Sequence, residues 1–350
     1  MQRYAYGLLI FIAIIFILYM GKSLLMPLTL AIIGWYIIKE LLRYLNRIQL
    51  KGRKFPLFLQ NTLAFLIVVG TIIGFGSIIV NSAESIQGKI PEYQVNLNTF
   101  IQNIELPIAF DFQDGLQKIS DGFNFSGMLS LAVSSVTAVF SKGILTLLYL
   151  IFILIESSSF KEKLQLLYPD KEEKKRIDAI IDSINKSMSS YITLKTITSF
   201  LTGFLSYLVL AIMGVDFAIF WAYLIFLLNF IPTIGSLIAT IFPVLLAFAQ
   251  FGTWIQPGIV LVAVTSIQLL VGNVLEPRLM GNSLNISPLV VLVSLAFWGW
   301  LWGVIGMLIS VPITIMLIIV CAQFDKLRWL AVVLSSKGNL AKLEITLDEI

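Results

Sequence analysis

The stretch 268–312 constrains this chain more than any other. It reads QLLVGNVLEPRLMGNSLNISPLVVLVSLAFWGWLWGVIGMLISVP, with apolar runs of membrane length interrupted by proline, glycine and a few polar residues. An unbroken apolar helix satisfies its own backbone in lipid. One interrupted at Asn273, Glu276-Pro277-Arg278, Gly281, Pro288, Gly303, Gly306 and Pro312 releases N–H and C=O groups at membrane depth. Such groups persist only where protein or a water-filled cavity satisfies them. Discontinuous membrane helices of this kind point to a transport site.

Composition places the rest of the chain in the same environment. Charged residues make up 13% of the 350 residues, hydrophobic residues 58%, and the mean hydropathy is +0.93. A soluble domain carries about 25% charge, so this chain cannot cover itself for water. The class is a polytopic membrane protein whose first partner is the lipid bilayer. The first apolar run, 6–20, is followed at once by a second, so it reads as half of a retained hairpin and not as a cleaved leader. The sequence has no histidine and one cysteine, Cys321. That removes histidine metal sites, Ser–His catalysis, histidine proton relays and intrachain disulfides together. No Gly-x-x-x-x-Gly-Lys-Ser/Thr phosphate loop is present, and no Gly-Asp pair of the intramembrane aspartyl protease kind. The expectation is therefore a protein that is not an enzyme, with no cofactor, no metal and no nucleic-acid partner.

Apolar spans fall near 6–20, 24–38, 57–80, 136–155, 197–213, 217–250, 258–275 and 288–320. One tilted crossing needs about 20 apolar residues. The runs 217–250 and 288–320 are long enough for two passes or a re-entrant hairpin each. Lys39, Arg43, Arg47, Lys51, Arg53 and Lys54 mark the loop after the second span as cytoplasmic, whereas the acid-rich segment 81–135 reads as outside. Lys161, Lys163, Lys171, Lys174, Lys175 and Arg176 return the chain to the cytoplasm at 156–196. The fold expected is all-α, with about six full spans, two broken or re-entrant hairpins, and both termini cytoplasmic. By residue range the expected parts are N-terminal helices over 1–80, an outer cap of short amphipathic helices over 81–135 and a membrane helix at 136–155. An amphipathic cytoplasmic helix over 156–196, a core over 197–320 and a cytoplasmic tail over 321–350 complete the list. Asp170 is placed to cap the amphipathic helix, whose stripe is Ile177, Ile180, Ile181, Ile184 and Met188.

Past residue 190 the sequence closely resembles the AI-2E transporters, a family of bacterial membrane proteins, and one matching pair lies before that point. Tyr168-Pro169 precedes the amphipathic helix, which runs into Ser190-Tyr191-Ile192. Gly214-Val215-x-x-Ala218, Ile231-Pro232-x-x-Gly235 and Pro243 follow, then Asn273-x-x-x-Pro277-x-x-x-Gly281, Pro288, Gly303-x-x-Gly306 and Pro312. The chain departs from the family pattern where Leu194-Lys195 replaces Gly-Gln, and where Val271 stands at a position often acidic; an acid follows five residues on, at Glu276. The resemblance implies secondary transport across the bacterial plasma membrane, either export of an autoinducer-2-like signal or sodium–proton antiport. It also implies a homo-oligomer, with five subunits favoured.

Several residues are candidates for binding solute or ion. A charge at the bilayer centre costs roughly 2.5–3.5 kcal/mol on insertion scales. Glu276 with Arg278, beside Pro277, thus reads either as a coupling carboxylate with its paired cation or as two solvated charges in a short loop. Pro232 removes a backbone donor, and the carbonyls it releases, with Asn229, Thr233 and the small Gly235, form either a binding turn or a plain kink. Gln268 and Asn273 bond across helices or touch solute. Pro243, Pro277, Gly281, Pro288, Gly303, Gly306 and Pro312 are the expected breaks or hinges. Lys142 and Lys195 are expected to snorkel to an interface, Asp216 to end a helix, and Trp298, Trp300 and Trp302 to pack or form a belt. An exported small polar solute is the first expectation, because few ionisable groups lie in the apolar spans. Exchange of a monovalent cation for a proton is the alternative, with Glu276 as its titrating group, and a membrane scaffold or channel subunit stands behind both.

Overall fold

The computed structural model describes residues 2–46, 57–102, 127, 134, 142–167, 170–280, 286–324, 326–336 and 338. Much of the expected outer cap, Gly281, the Tyr168-Pro169 pair and the C-terminal tail lie outside the described residues. The described chain is helical, with one isolated bridge pairing Ile286 and Ser335. Six helices are long and apolar enough to cross a membrane among the described residues.

The helices are α1 (Gln2–Met20), α2 (Lys22–Leu45), α3 (Leu57–Gln102), α4 (Gly143–Leu167) and α5 (Lys171–Ile212). They continue as α6 (Ala218–Leu228), α7 (Ile234–Phe251) and α8 (Ile255–Leu269). A π-helical segment (Leu270–Leu275) leads directly into α9 (Glu276–Met280), followed by α10 (Pro288–Ala322) and α11 (Arg328–Leu334). The expected short cap helices over 81–102 are instead the end of α3, one helix of 46 residues. The rise in polarity after residue 80 changes the helix's surroundings without ending it, since Ala, Glu, Gln and Lys are strong helix formers. The amphipathic segment and the span after it are likewise one helix, α5. At its start the Asp170 carboxylate accepts from the Glu172 N–H at 3.3 Å, which is the expected cap.

The helices group into two compact units. The first contains residues 1–69, 142–194 and 280–350; the second contains 70–141 and 195–279. The segment read from sequence as one core, 197–320, therefore divides after residue 279. In the first unit Tyr36, Met188, Tyr191, Ile192, Val311, Ile315 and Ile319 make a buried cluster. The Tyr36 hydroxyl donates to Asn185 Oδ1 at 3.1 Å. Trp302 is buried and its indole N–H donates to the Leu18 carbonyl at 3.0 Å, so it packs, while Trp300 is exposed.

Both apolar runs expected to fold back do so. In the second unit α6 has 11 residues, about 16 Å at 1.5 Å per residue, too short for a hydrocarbon core of roughly 30 Å. It returns through 229–233 into α7. In the first unit α10 reverses at Gly303, whose φ of 63° and ψ of −143° no helix contains. The reversal brings the Ser294 hydroxyl within 2.7 Å of the Thr314 hydroxyl. The hairpins are built alike. A Cβ at Gly235 would overlap the Leu228 carbonyl oxygen, and one at Gly306 would overlap that of Trp298. Each returning helix presses a glycine against the last carbonyl turn of the outgoing one.

The first hairpin is strained where it turns. Thr233 has φ 60° and ψ −58°, and the Ile234 N–H donates to the Pro232 carbonyl across it at 2.6 Å. This is the rarer γ-turn, with positive φ at its centre, and a β-branched residue is costly there. Replacing Thr233 by glycine raises stability by about 1 kcal/mol by removing that strain. Thermal unfolding of the purified protein measures this, and an unchanged or lower midpoint contradicts it.

Candidate functional site

The most buried ion pair of the second unit, among the described residues, joins α5 to the break after α8. Lys195 Nζ donates to both carboxylate oxygens of Glu276, at 2.7 and 2.9 Å. The Lys195 side chain is 6% exposed and that of Glu276 18%. Lys195 does not snorkel outward: its buried ammonium is held by the half-buried Glu276 carboxylate instead. Nor is Arg278 the partner of Glu276: Arg278 and Pro277 are exposed. Glu276 opens the short helix α9, so the Glu-Pro-Arg segment is helical and not a loop turn.

The π-helical segment positions this carboxylate. A wider turn carries one extra residue per repeat, which rotates every following side chain on the helix. Leu270–Leu275 forms that wider turn, and Glu276 is the next residue. Asn273 lies within it and is exposed. π-Segments concentrate at functional sites.

A line of polar residues runs from Lys195 along one face of α5. Lys195, Thr198, Ser199, Thr202 and Ser206 recur at helical spacing, and all are buried. Thr198 and Thr202 donate to carbonyls of their own helix, those of Lys195 and Thr198, at 3.2 and 2.8 Å. Their hydroxyls are thereby spent on the backbone. Ser199 faces the first hairpin instead: Asn229, at the C-terminus of α6, donates its amide N–H to the Ser199 hydroxyl oxygen at 3.0 Å. The Ser206 hydroxyl is buried with no partner among the described residues. Close approach of the two helices is possible because Gly203 sits against α6, where a Cβ would lie 2.9 Å from the Ala222 carbonyl oxygen.

The remaining expected residues fall into separate places. Gln268 joins α8 to α7, its side-chain oxygen accepting from the Thr240 hydroxyl at 2.9 Å. Pro243 is buried within α7. Thr233 is exposed, Pro232 is half-buried, and Gly235 is buried at the hairpin contact. Pro288 opens α10, while Gly303, Gly306 and Pro312 belong to the first unit and build its hairpin. Asp216 lies between α5 and α6, where it accepts from Lys89 Nζ at 2.6 Å and from the Tyr93 hydroxyl at 2.8 Å. Burial, reinforced by this bond to a carboxylate, pushes the Tyr93 phenol above the ordinary tyrosine range, so it stays a donor. The Gln250 side chain closes the cluster by accepting from the Asp216 N–H at 2.7 Å and donating to the Gly214 carbonyl at 2.8 Å.

Lys195 and Ser199 were missed as site residues by sequence reasoning. The signal was available in the segment TLKTITSFLTGFLS: a lone lysine in an apolar helix, with hydroxyls on its own face. An ionisable residue so placed calls for a partner, and Glu276 is the matching lone acid of the 258–280 segment.

Apolar helices broken by two hairpins, with a largely buried polar set in one unit, define a polytopic helical membrane protein. The profile of the AI-2E transporter family matches residues 8–326. The chain is 31% identical to the AI-2 transport protein TqsA of Escherichia coli, covering 90% of each chain. It is 31% identical to a protein of Borreliella burgdorferi, covering 89% of this chain and 83% of the relative. It is 33% identical to one of Haemophilus influenzae, covering 76% and 78%. The names of these last two describe them provisionally as transport proteins. The chain belongs to the AI-2E transporter family.

Proposed function

We propose that this protein is a secondary transporter of the bacterial plasma membrane that exports a small, uncharged polar solute of the autoinducer-2 kind. The observation that carries the reading is the electrical state of the site. Both oxygens of Glu276 are engaged by Lys195, and the neighbouring polar groups, Ser199 and Asn229, are neutral. A self-paired, hydrogen-bonding site suits a neutral polyol, whose hydroxyls exchange for the bonds the site makes with itself. A site for a transported cation needs a carboxylate that is not already matched. The similarity to TqsA, named for AI-2 transport, supports the same solute class.

Everted membrane vesicles containing the protein are expected to accumulate labelled autoinducer-2 above vesicles without it. Asn229→Leu is expected to lower the rate by roughly 5- to 150-fold, because it leaves Ser199 unpartnered and the site without its amide; a lost buried hydrogen bond of about 1–3 kcal/mol corresponds to this range. Equal accumulation with and without inserted protein contradicts the solute reading.

A further inference from the structure

We propose that Lys195 is a built-in substitute for a metal cation, so that removing its ammonium turns the Glu276 site into a monovalent cation site. The inference extends the reading of Glu276 as part of the transport site, but its test needs no transport. The Nζ atom holds a single positive charge 2.7 and 2.9 Å from the two oxygens of one carboxylate. That is the place and charge of a sodium or potassium ion held in a carboxylate fork. Hard cations take oxygen ligands of this sort, and the fork is prepared: Glu276 is fixed at the end of the π-helical segment, where the chain continues directly into α9.

The helix carrying Lys195 continues with further buried hydroxyls. Thr198 and Ser199, one turn on, are fully buried, and the Ser199 oxygen already serves as an acceptor for Asn229. Truncating Lys195 leaves a half-buried carboxylate without its counter-charge, and the volume of the lost side chain. A carboxylate so exposed to a low dielectric must take up a cation, a proton or water. In the protein as it stands the tethered ammonium does this permanently, which makes Lys195 the specificity-determining residue: it excludes metal cations by occupying their position.

The test uses the purified full-length protein in detergent, with choline replacing sodium at constant ionic strength. Binding of radioactive sodium and the thermal midpoint are measured for wild type, Glu276→Gln, Lys195→Ala, Lys195→Ser and Lys195→Ala with Glu276→Gln. The expected result is no saturable sodium binding by wild type and a midpoint that does not respond to sodium. Lys195→Ala gains saturable binding and a sodium-dependent rise in midpoint of about 3 °C, as ligand linkage gives for a site well above half-saturation. The double variant loses both. Lys195→Ser also removes both the ammonium and the stem that fills the cation position, so it gives the same readout if the alanine variant is not monodisperse. Sodium binding by wild type that Glu276→Gln removes overturns the proposal. So does the absence of any sodium response in a folded lysine variant.

Discussion

Replacing Glu276 with leucine, with Lys195 intact, destabilises the folded protein by about 3–5 kcal/mol, and adding Lys195→Met restores most of that loss. The large term is the charge left behind. Lys195 is 6% exposed at its side chain, and without Glu276 its buried ammonium loses the carboxylate that accepts two of its hydrogen bonds and balances its charge. A pair of apolar residues in the same space carries no such penalty, and buried ion pairs replaced together are often neutral. The contrast between the single and the double variant separates this cause from a simple packing defect. Unfolding titrations of the purified protein measure it. Equal destabilisation of both variants would show that the pair is not what holds α5 to the α8–α9 segment.

The second large effect is expected at the hairpin glycines. Gly235→Ala and Gly306→Ala each force a Cβ into a backbone carbonyl, of Leu228 and Trp298 respectively. No rotamer relieves a backbone overlap, so the returning helix has to move. The cost is about 3 kcal/mol or more, at the upper end of overpacking. Gly258 provides the comparison, since nothing lies within 4 Å of a Cβ built there. Gly258→Ala is expected to stay within about 1 kcal/mol of wild type, because the added methyl meets open space and alanine favours the helix. Similar losses at all three positions would contradict the hairpin geometry.

How far the sequence alone could reach is clear from these same residues. The hairpins were legible because their signals are local. Ile231-Pro232 and the run Gly303-x-x-Gly306 interrupt apolar segments that otherwise have no reason to stop, and backbone chemistry at membrane depth restricts the outcomes. Asp170 as a cap was legible for the same reason. The continuity of α3 past residue 80 was not, since a change from apolar to polar composition marks the membrane boundary and a helix boundary alike. The partner of Glu276 was not legible either. Arg278 is two residues away and Lys195 eighty-one, and local pairing favours the near one. The π-helical segment decides against it by rotating the helix, a change of register that periodicity over so few residues does not reveal. Lys195 itself was visible only as a departure from Gly-Gln, and a departure tells nothing of the contact that replaces what was lost.

The central claim is that a self-paired site in the second unit serves an uncharged solute and not a metal cation. Its most direct test is a proton gradient imposed on everted vesicles and followed with a pH-sensitive dye while sodium or potassium is added. The gradient is expected to persist in vesicles containing wild-type protein, as it does without the protein, while the same vesicles accumulate labelled autoinducer-2. A gradient that collapses on addition of either cation, and holds in vesicles carrying Glu276→Gln, would contradict the account and make Glu276 the coupling group of a cation–proton antiporter.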